Sequence, residues 1–129
     1  MRDATYSQAI NEAYDEELKR DPSVFIMGED IGPHWGAAFG EMQGLFAKYG
    51  PKRIRETPIS ETAILGSAIG AAATGMRPIA FLFFVDFLGV CQEPVRSWGR
   101  RRALEGYCEC CGHGSDRGAL DFEEGGVNI

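Results

Sequence analysis

Apolar residues recur at helical spacing between Thr5 and Arg20. Ala9, Ala13 and Leu18, with Ile10 and Tyr14 alongside, form a stripe on one face of the predicted helix. Thr5 and Gln8 have capping-box spacing, and Lys19 and Arg20 complement the dipole at the C-terminal end. Asp21-Pro22 ends the helix. The fully apolar run Val24-Phe25-Ile26-Met27 then predicts a buried strand, followed by a Gly28-Glu29-Asp30 turn and a glycine-rich loop through Pro33 and Gly40. Gly44 to Tyr49 reads as a short helix closed by Gly50-Pro51, and Arg53 to Thr57 as a brief strand.

Ser60 to Thr74 is a helix of small residues, with Ser60 placed to cap it, Glu61 in its first turn and Gly75 as its stop. It is apolar nearly all round, which predicts burial. The run from Pro78 to Val85 predicts a central strand, with Ile79–Val85 as its body. Helix, strand, helix, strand in this order predicts an α/β layered fold with a parallel sheet. After Val90 no period of two or 3.6 is sustained. Residues 92–129 hold seven glycines and read as an irregular or disordered tail.

Composition sharpens that division. The 129 residues include 44% hydrophobic and 25% charged, the ordinary globular range for one domain. Charge balance barely changes along the chain, yet residues 91–129 contain no lysine and only one isoleucine, Ile129. Two texts join near Cys91. A net charge of −6 argues against a nucleic-acid partner. No apolar stretch is long enough to predict a membrane span, and the N-terminal residues resemble neither a signal nor a transit peptide, so a cytoplasmic protein is expected.

Three acidic features fall where an α/β sheet places its ligands, at the carboxyl ends of strands. Glu29 and Asp30 follow the first strand, Glu61 opens the small-residue helix, and Asp86-Phe87 ends the long apolar run. A glutamate in a first helical turn is most often a capping or dipole device, and a Gly-Glu-Asp triplet most often a turn. Spacing alone therefore defines no active site.

The wording of the chain adds to this. Gly28-Glu29-Asp30, Arg55-Glu56-Thr57-Pro58-Ile59-Ser60-Glu61, Gly70-Ala71-Ala72 and Gly75-Met76-Arg77-Pro78, in fixed order, resemble the β subunits of thiamine-diphosphate-dependent 2-oxo acid dehydrogenase E1 components of the pyruvate, branched-chain and acetoin types. The resemblance covers residues 1–91 and implies the N-terminal part of a transketolase-like pyrimidine-binding domain. It implies thiamine diphosphate as cofactor, with its diphosphate and Mg2+ held by the E1 α subunit. Glu61 matches the glutamate that hydrogen-bonds the aminopyrimidine ring and promotes deprotonation of the reactive thiazolium carbon. Glu29 matches a second acid near the cofactor, Ile59 a hydrophobic residue of the pocket wall and Phe87 an aromatic packed near the pyrimidine. A carboxyl in a dry pocket can share a proton with a ring nitrogen, which a glutamine cannot.

The implied parent activity is oxidative decarboxylation of a 2-oxo acid with acyl transfer to a lipoyl-bearing E2 acyltransferase, in an assembly of E1 α and two β subunits. Departures accompany the match. Phe81 stands where members carry a glutamate, and from Gln92 onward the family text is lost. A changed reading frame, a splice event or a truncated gene would each produce such a tail, and the chain alone is expected to be inactive. Two rivals remain: a non-catalytic fragment, and a metal-binding module on Cys108, Cys110, Cys111 and His113. The close spacing of those cysteines disfavours a common tetrahedral centre, and no metal ligand is assigned.

Overall fold

The computed structural model describes residues 3–95, together with the backbone of two short strands, Phe122–Glu123 and Gly126–Val127. Helix α1 (Tyr6–Arg20) leads into β1 (Val24–Glu29), and a long loop follows. Then come α2 (Leu45–Tyr49), β2 (Ile54–Thr57), α3 (Glu61–Ala73) and β3 (Arg77–Phe81). A 3-10 turn over Val85–Cys91 continues directly into a last helical turn, Gln92–Pro94. The sheet has order β2-β1-β3 and both pairings are parallel. The α/β fold with a parallel sheet is therefore as the sequence predicts.

The local signals of α1 act as their residue types require. Thr5 N donates to Gln8 Oε1 at 2.9 Å and Gln8 N donates to Thr5 Oγ1 at 3.3 Å, closing the capping box. Asp21 ends the helix and turns the chain by accepting from Ser23 N at 2.8 Å and Ser23 Oγ at 2.6 Å. The guanidinium of Arg53 then ties the helix end to the strand that follows. It donates to Leu18 O at 2.9 Å, Asp21 O at 2.8 Å and Val24 O at 2.5 Å.

One face of the sheet carries the main core. Val24 and Ile26 of β1 and Ile54 of β2 pack with Leu18, Ile31, Ala37, Met42 and Leu45. Residues 25, 27 and 29 alternate to the other face. There α3 lies against β3 and β1, burying Ile64 and Ala68.

Several expectations are corrected. The central strand is β1, and β3 is a sheet edge among the described residues, ending at Phe81 rather than Val85. Phe84, at φ 54°, breaks the extended run there. Helix α3 is not buried all round: Thr62, Ala63, Ser67, Gly70 and Ala73 face solvent, because the sheet covers one side only. The stripe of α1 is likewise covered only at Tyr14 and Leu18, with Ala9, Ile10 and Ala13 exposed. Ser60 does not cap α3, since its hydroxyl donates instead to Pro58 O at 2.9 Å. Gly75 does stop α3, at φ +90°, and its N–H donates to Ala72 O at 3.0 Å.

Of the tail, residues 92–95 are helical, and Phe122–Glu123 pairs antiparallel with Gly126–Val127, a short ladder that its sequence pattern does not signal. The group Cys108, Cys110, Cys111 and His113 lies outside the described residues, as does most of the segment expected to be irregular.

Candidate functional site

The site forms where β1 and β2 end and α3 begins. Strand β1 runs two residues further than its apolar run predicts, so that Gly28 pairs with Phe81 and Glu29 with Thr57. Glycine is required at 28, since a β-carbon there would lie 2.5 Å from Phe81 O. After Glu29 the chain turns sharply. Asp30 takes φ 52°, a left-handed conformation that aspartate tolerates better than most residues, and its carbonyl accepts from Ala37 N at 2.8 Å.

Glu29 is the one charged residue in the core of the described chain, only 4% exposed. Its Oε2 is buried and has no hydrogen-bond partner among the described residues. Burial pushes the carboxyl pKa above its usual range, and the nearby charges of Glu61 and Asp30 push it further. A buried carboxyl with a free oxygen is costly, and native folds rarely keep one without a use for it.

The charge of Glu61 acts on this carboxyl from a second element. Thr57 ends β2, and Pro58-Ile59-Ser60 turns the chain so that Glu61 begins α3, half-buried. Its position in the first turn suits a negative charge. The two acids that the sequence singles out are thus brought together, by a strand end and a helix start. The third acid of the group is Asp30; Asp86 lies exposed in the 3-10 turn and does not join it.

The two apolar candidates sit at the open edge. Ile59 is 77% exposed on the turn before Glu61. Phe87 is 41% exposed, its ring centroid 6.2 Å from that of Phe84. Phe84 in turn stands 6.4 Å from Phe39 and 6.1 Å from Phe83, so Phe87 joins an aromatic cluster that reaches the main core through Phe83. Both side chains are open to solvent among the described residues.

Sequence reasoning missed Cys91. This thiol is fully buried, and burial together with the charge of Glu61 pushes its pKa up. It also missed Thr62, whose hydroxyl donates to Val90 O at 2.9 Å. Cys91 closes the family-like string Asp86-Phe87-Leu88-Gly89-Val90-Cys91 and Thr62 follows Glu61 in the predicted helix, but nothing local signals that the two stretches meet.

The departure at Phe81 leaves the acid pair untouched. Phe81 packs with Ile79 and Phe83 against the main core, on the sheet face opposite Glu29. What remains is a pair of carboxyls, one pushed toward its neutral form by burial and by the charge of the other. Such a pair suits a nitrogen heterocycle, because the acids can exchange a proton with a ring nitrogen.

Several known proteins resemble this chain over about two thirds of its length. The chain is 52% identical over 96 residues to the acetoin:2,6-dichlorophenolindophenol oxidoreductase subunit beta of Cupriavidus necator, covering 67% of this chain and 28% of that protein. It is 48% identical over 88 residues to the pyruvate dehydrogenase E1 component subunit beta of Chaetosphaeridium globosum, covering 68% and 27%. With the 2-oxoisovalerate dehydrogenase subunit beta of Bacillus subtilis it shares 48% over 84 residues, covering 65% and 25%. The chain therefore spans about a quarter of the length of these relatives. Residues 2–114 match the family described as transketolase, pyrimidine binding domain, and the chain belongs to that family.

Proposed function

We propose that this chain supplies the β-subunit side of a thiamine-diphosphate site in a 2-oxo acid dehydrogenase E1 component. The observation that carries the reading is the buried, unpartnered Glu29 carboxyl held beside Glu61 at the carboxyl ends of the strands. Relatives named as a pyruvate dehydrogenase E1 component subunit beta, a 2-oxoisovalerate dehydrogenase subunit beta and an acetoin oxidoreductase subunit beta support it.

When bound, thiamine diphosphate supplies the carbon nucleophile and electron sink that decarboxylation of a 2-oxo acid needs. The residues of this chain act on its aminopyrimidine side. Glu61 would hold the ring nitrogen through a shared proton, donating to the bare nitrogen and accepting from it once it is protonated. Glu29, kept toward its neutral form by burial, prevents a second full negative charge from building beside Glu61. Phe87 and Ile59 form the apolar edge against which the ring rests.

Because Ile59 and Phe87 are open to water here, a second surface has to close the site before the electrostatics become strong. We assign that surface to an E1 α subunit, which also holds the diphosphate and Mg2+. A second β subunit and a lipoyl-bearing E2 acyltransferase complete the assembly. Alone, the chain gives no turnover, since a half-site forgoes positioning worth on the order of 7–11 kcal/mol.

Calorimetric titration of thiamine diphosphate with Mg2+ into a mixture of this chain and an E1 α subunit tests the reading. Binding is expected with the chain present and is expected to weaken markedly in Glu61→Gln. Equal binding by the parent chain and Glu61→Gln would overturn the role given to Glu61.

A further inference from the structure

The segment after β3 returns to α3 and is tied to it at its far end. It starts at Phe84, whose φ of 54° and ψ of 134° lie where non-glycine residues are rare. Val85 is 69%, Phe87 41% and Val90 54% exposed, so most of the segment has little beneath it. Three contacts hold its far end. Thr62 Oγ1 donates to Val90 O at 2.9 Å, Cys91 is fully buried, and buried Pro94 stands 3.9 Å from where a Gly66 β-carbon would be.

Thr62 directly follows Glu61 in the first turn of α3. The bond it makes therefore joins the carboxyl's own helical turn to the segment that carries Phe87. The same bond fixes Val90, and with it the adjoining Cys91, against the turn that carries Glu61; burial first, and the Glu61 charge second, raise the pKa of the thiol. Asp86 and Glu93, the other acids near the thiol in sequence, are exposed to solvent. A buried thiol beside the carboxylate excludes water from that side without placing an opposite charge there.

We infer that Thr62 is a positioning residue: its hydroxyl fastens the Val85–Cys91 turn to the first turn of α3 and so holds Cys91 and Phe87 in fixed relation to Glu61. The inference rests on the reading of Glu61 as the group that meets the cofactor ring. Its consequences in the chain can be measured without any cofactor.

The test uses the full chain carrying Thr62→Val, Thr62→Ser or no change, each with Glu61 or Glu61→Gln. Alkylation of Cys91 by iodoacetamide is followed peptide by peptide, and its titration by the Cβ chemical shift of isotope-labelled cysteine. Thr62→Val is expected to speed alkylation about three- to tenfold, as loss of one hydrogen bond allows, and Thr62→Ser to restore the parent rate. Glu61→Gln is expected to lower the titration midpoint of Cys91 when residue 62 carries a hydroxyl, and to lower it less in Thr62→Val. Amide exchange in β1 shows whether a variant has unfolded as a whole.

Unchanged alkylation in Thr62→Val would overturn the proposal. So would failure of folded Thr62→Ser to behave as the parent, or an equal effect of Glu61→Gln in all backgrounds. Thiamine diphosphate binding measured on the same variants separates the two readings. Intact Cys91 behaviour without Glu61-dependent binding sinks the site assignment and leaves the Thr62 fastening standing. The reverse pattern sinks the role of Thr62 alone.

Discussion

Gly28 and Phe81 lie directly opposite each other in the parallel ladder, and the Phe81 carbonyl occupies the space a β-carbon at residue 28 would need, 2.5 Å away. The close approach brings the ends of β1 and β3 together one residue before Glu29. Backbone cannot swing aside as a flexible side chain can. Gly28→Ala is therefore expected to lower stability by about 1–3 kcal/mol through enforced backbone shifts. Chemical denaturation of the two proteins measures the difference. A loss below 0.5 kcal/mol, the range of ordinary surface changes, would show that the ladder accommodates a methyl group there.

Glu29→Gln is expected to stabilise the fold near neutral pH and to leave it unchanged in acid. The folded pKa of Glu29 is raised, by burial first and by Glu61 and Asp30 second. Below the unfolded value of 4.5 both states hold the proton and Glu29 makes no difference. As pH rises past that value the unfolded chain ionises first, so the parent loses stability until the folded pKa is passed. Glutamine removes that loss. Thermal melts across this window decide, and a parent that gains stability with pH relative to Glu29→Gln would reverse the assigned direction.

Arg53→Met is expected to cost about 2–3 kcal/mol, because a charged donor to Leu18 O, Asp21 O and Val24 O disappears at once. The loss should fall on the junction of α1 and β1. Amide exchange should rise in the last turn of α1 well before it rises in the middle of β1. Uniform exchange across both elements would mean that the clamp is part of the global unfolding unit instead.

The two helix starts make opposite predictions for the same kind of residue. Thr5→Ala removes half of a closed capping box and should cost about 1 kcal/mol. Ser60→Ala removes a hydroxyl that bonds Pro58 O and caps nothing, so its cost should stay within about 0.5 kcal/mol. Paired denaturation curves check both. A larger loss for Ser60→Ala would mean that the Pro58–Ser60 turn, and not the cap, governs where α3 begins.

Features set by a few neighbouring residues were legible in the sequence. The capping box of Thr5 and Gln8, the Asp21 stop, the glycine stop at Gly75 and the apolar strand beginning at Val24 each depend on side chains within one turn or strand. The candidate acids were legible too, because Gly28-Glu29 and Thr57 to Glu61 are continuous stretches whose wording resembles a known family. Their convergence required only that both lie at strand ends in one parallel sheet.

Contacts between distant stretches decided the rest. Burial of α3 on one side only, β1 rather than β3 at the centre of the sheet, and the exclusion of Asp86 depend on which layers lie against which. An apolar helix reads the same in sequence whether one face or every face is covered. A strand's length reads the same whether it stops at Val85 or breaks at a left-handed Phe84. The unpartnered oxygen of Glu29 and the burial of Cys91 beside Glu61 exist only once residues about thirty positions apart are packed together. Hydrophobic period reports which side of an element prefers to avoid water; the surface that meets it is chosen by the packed chain.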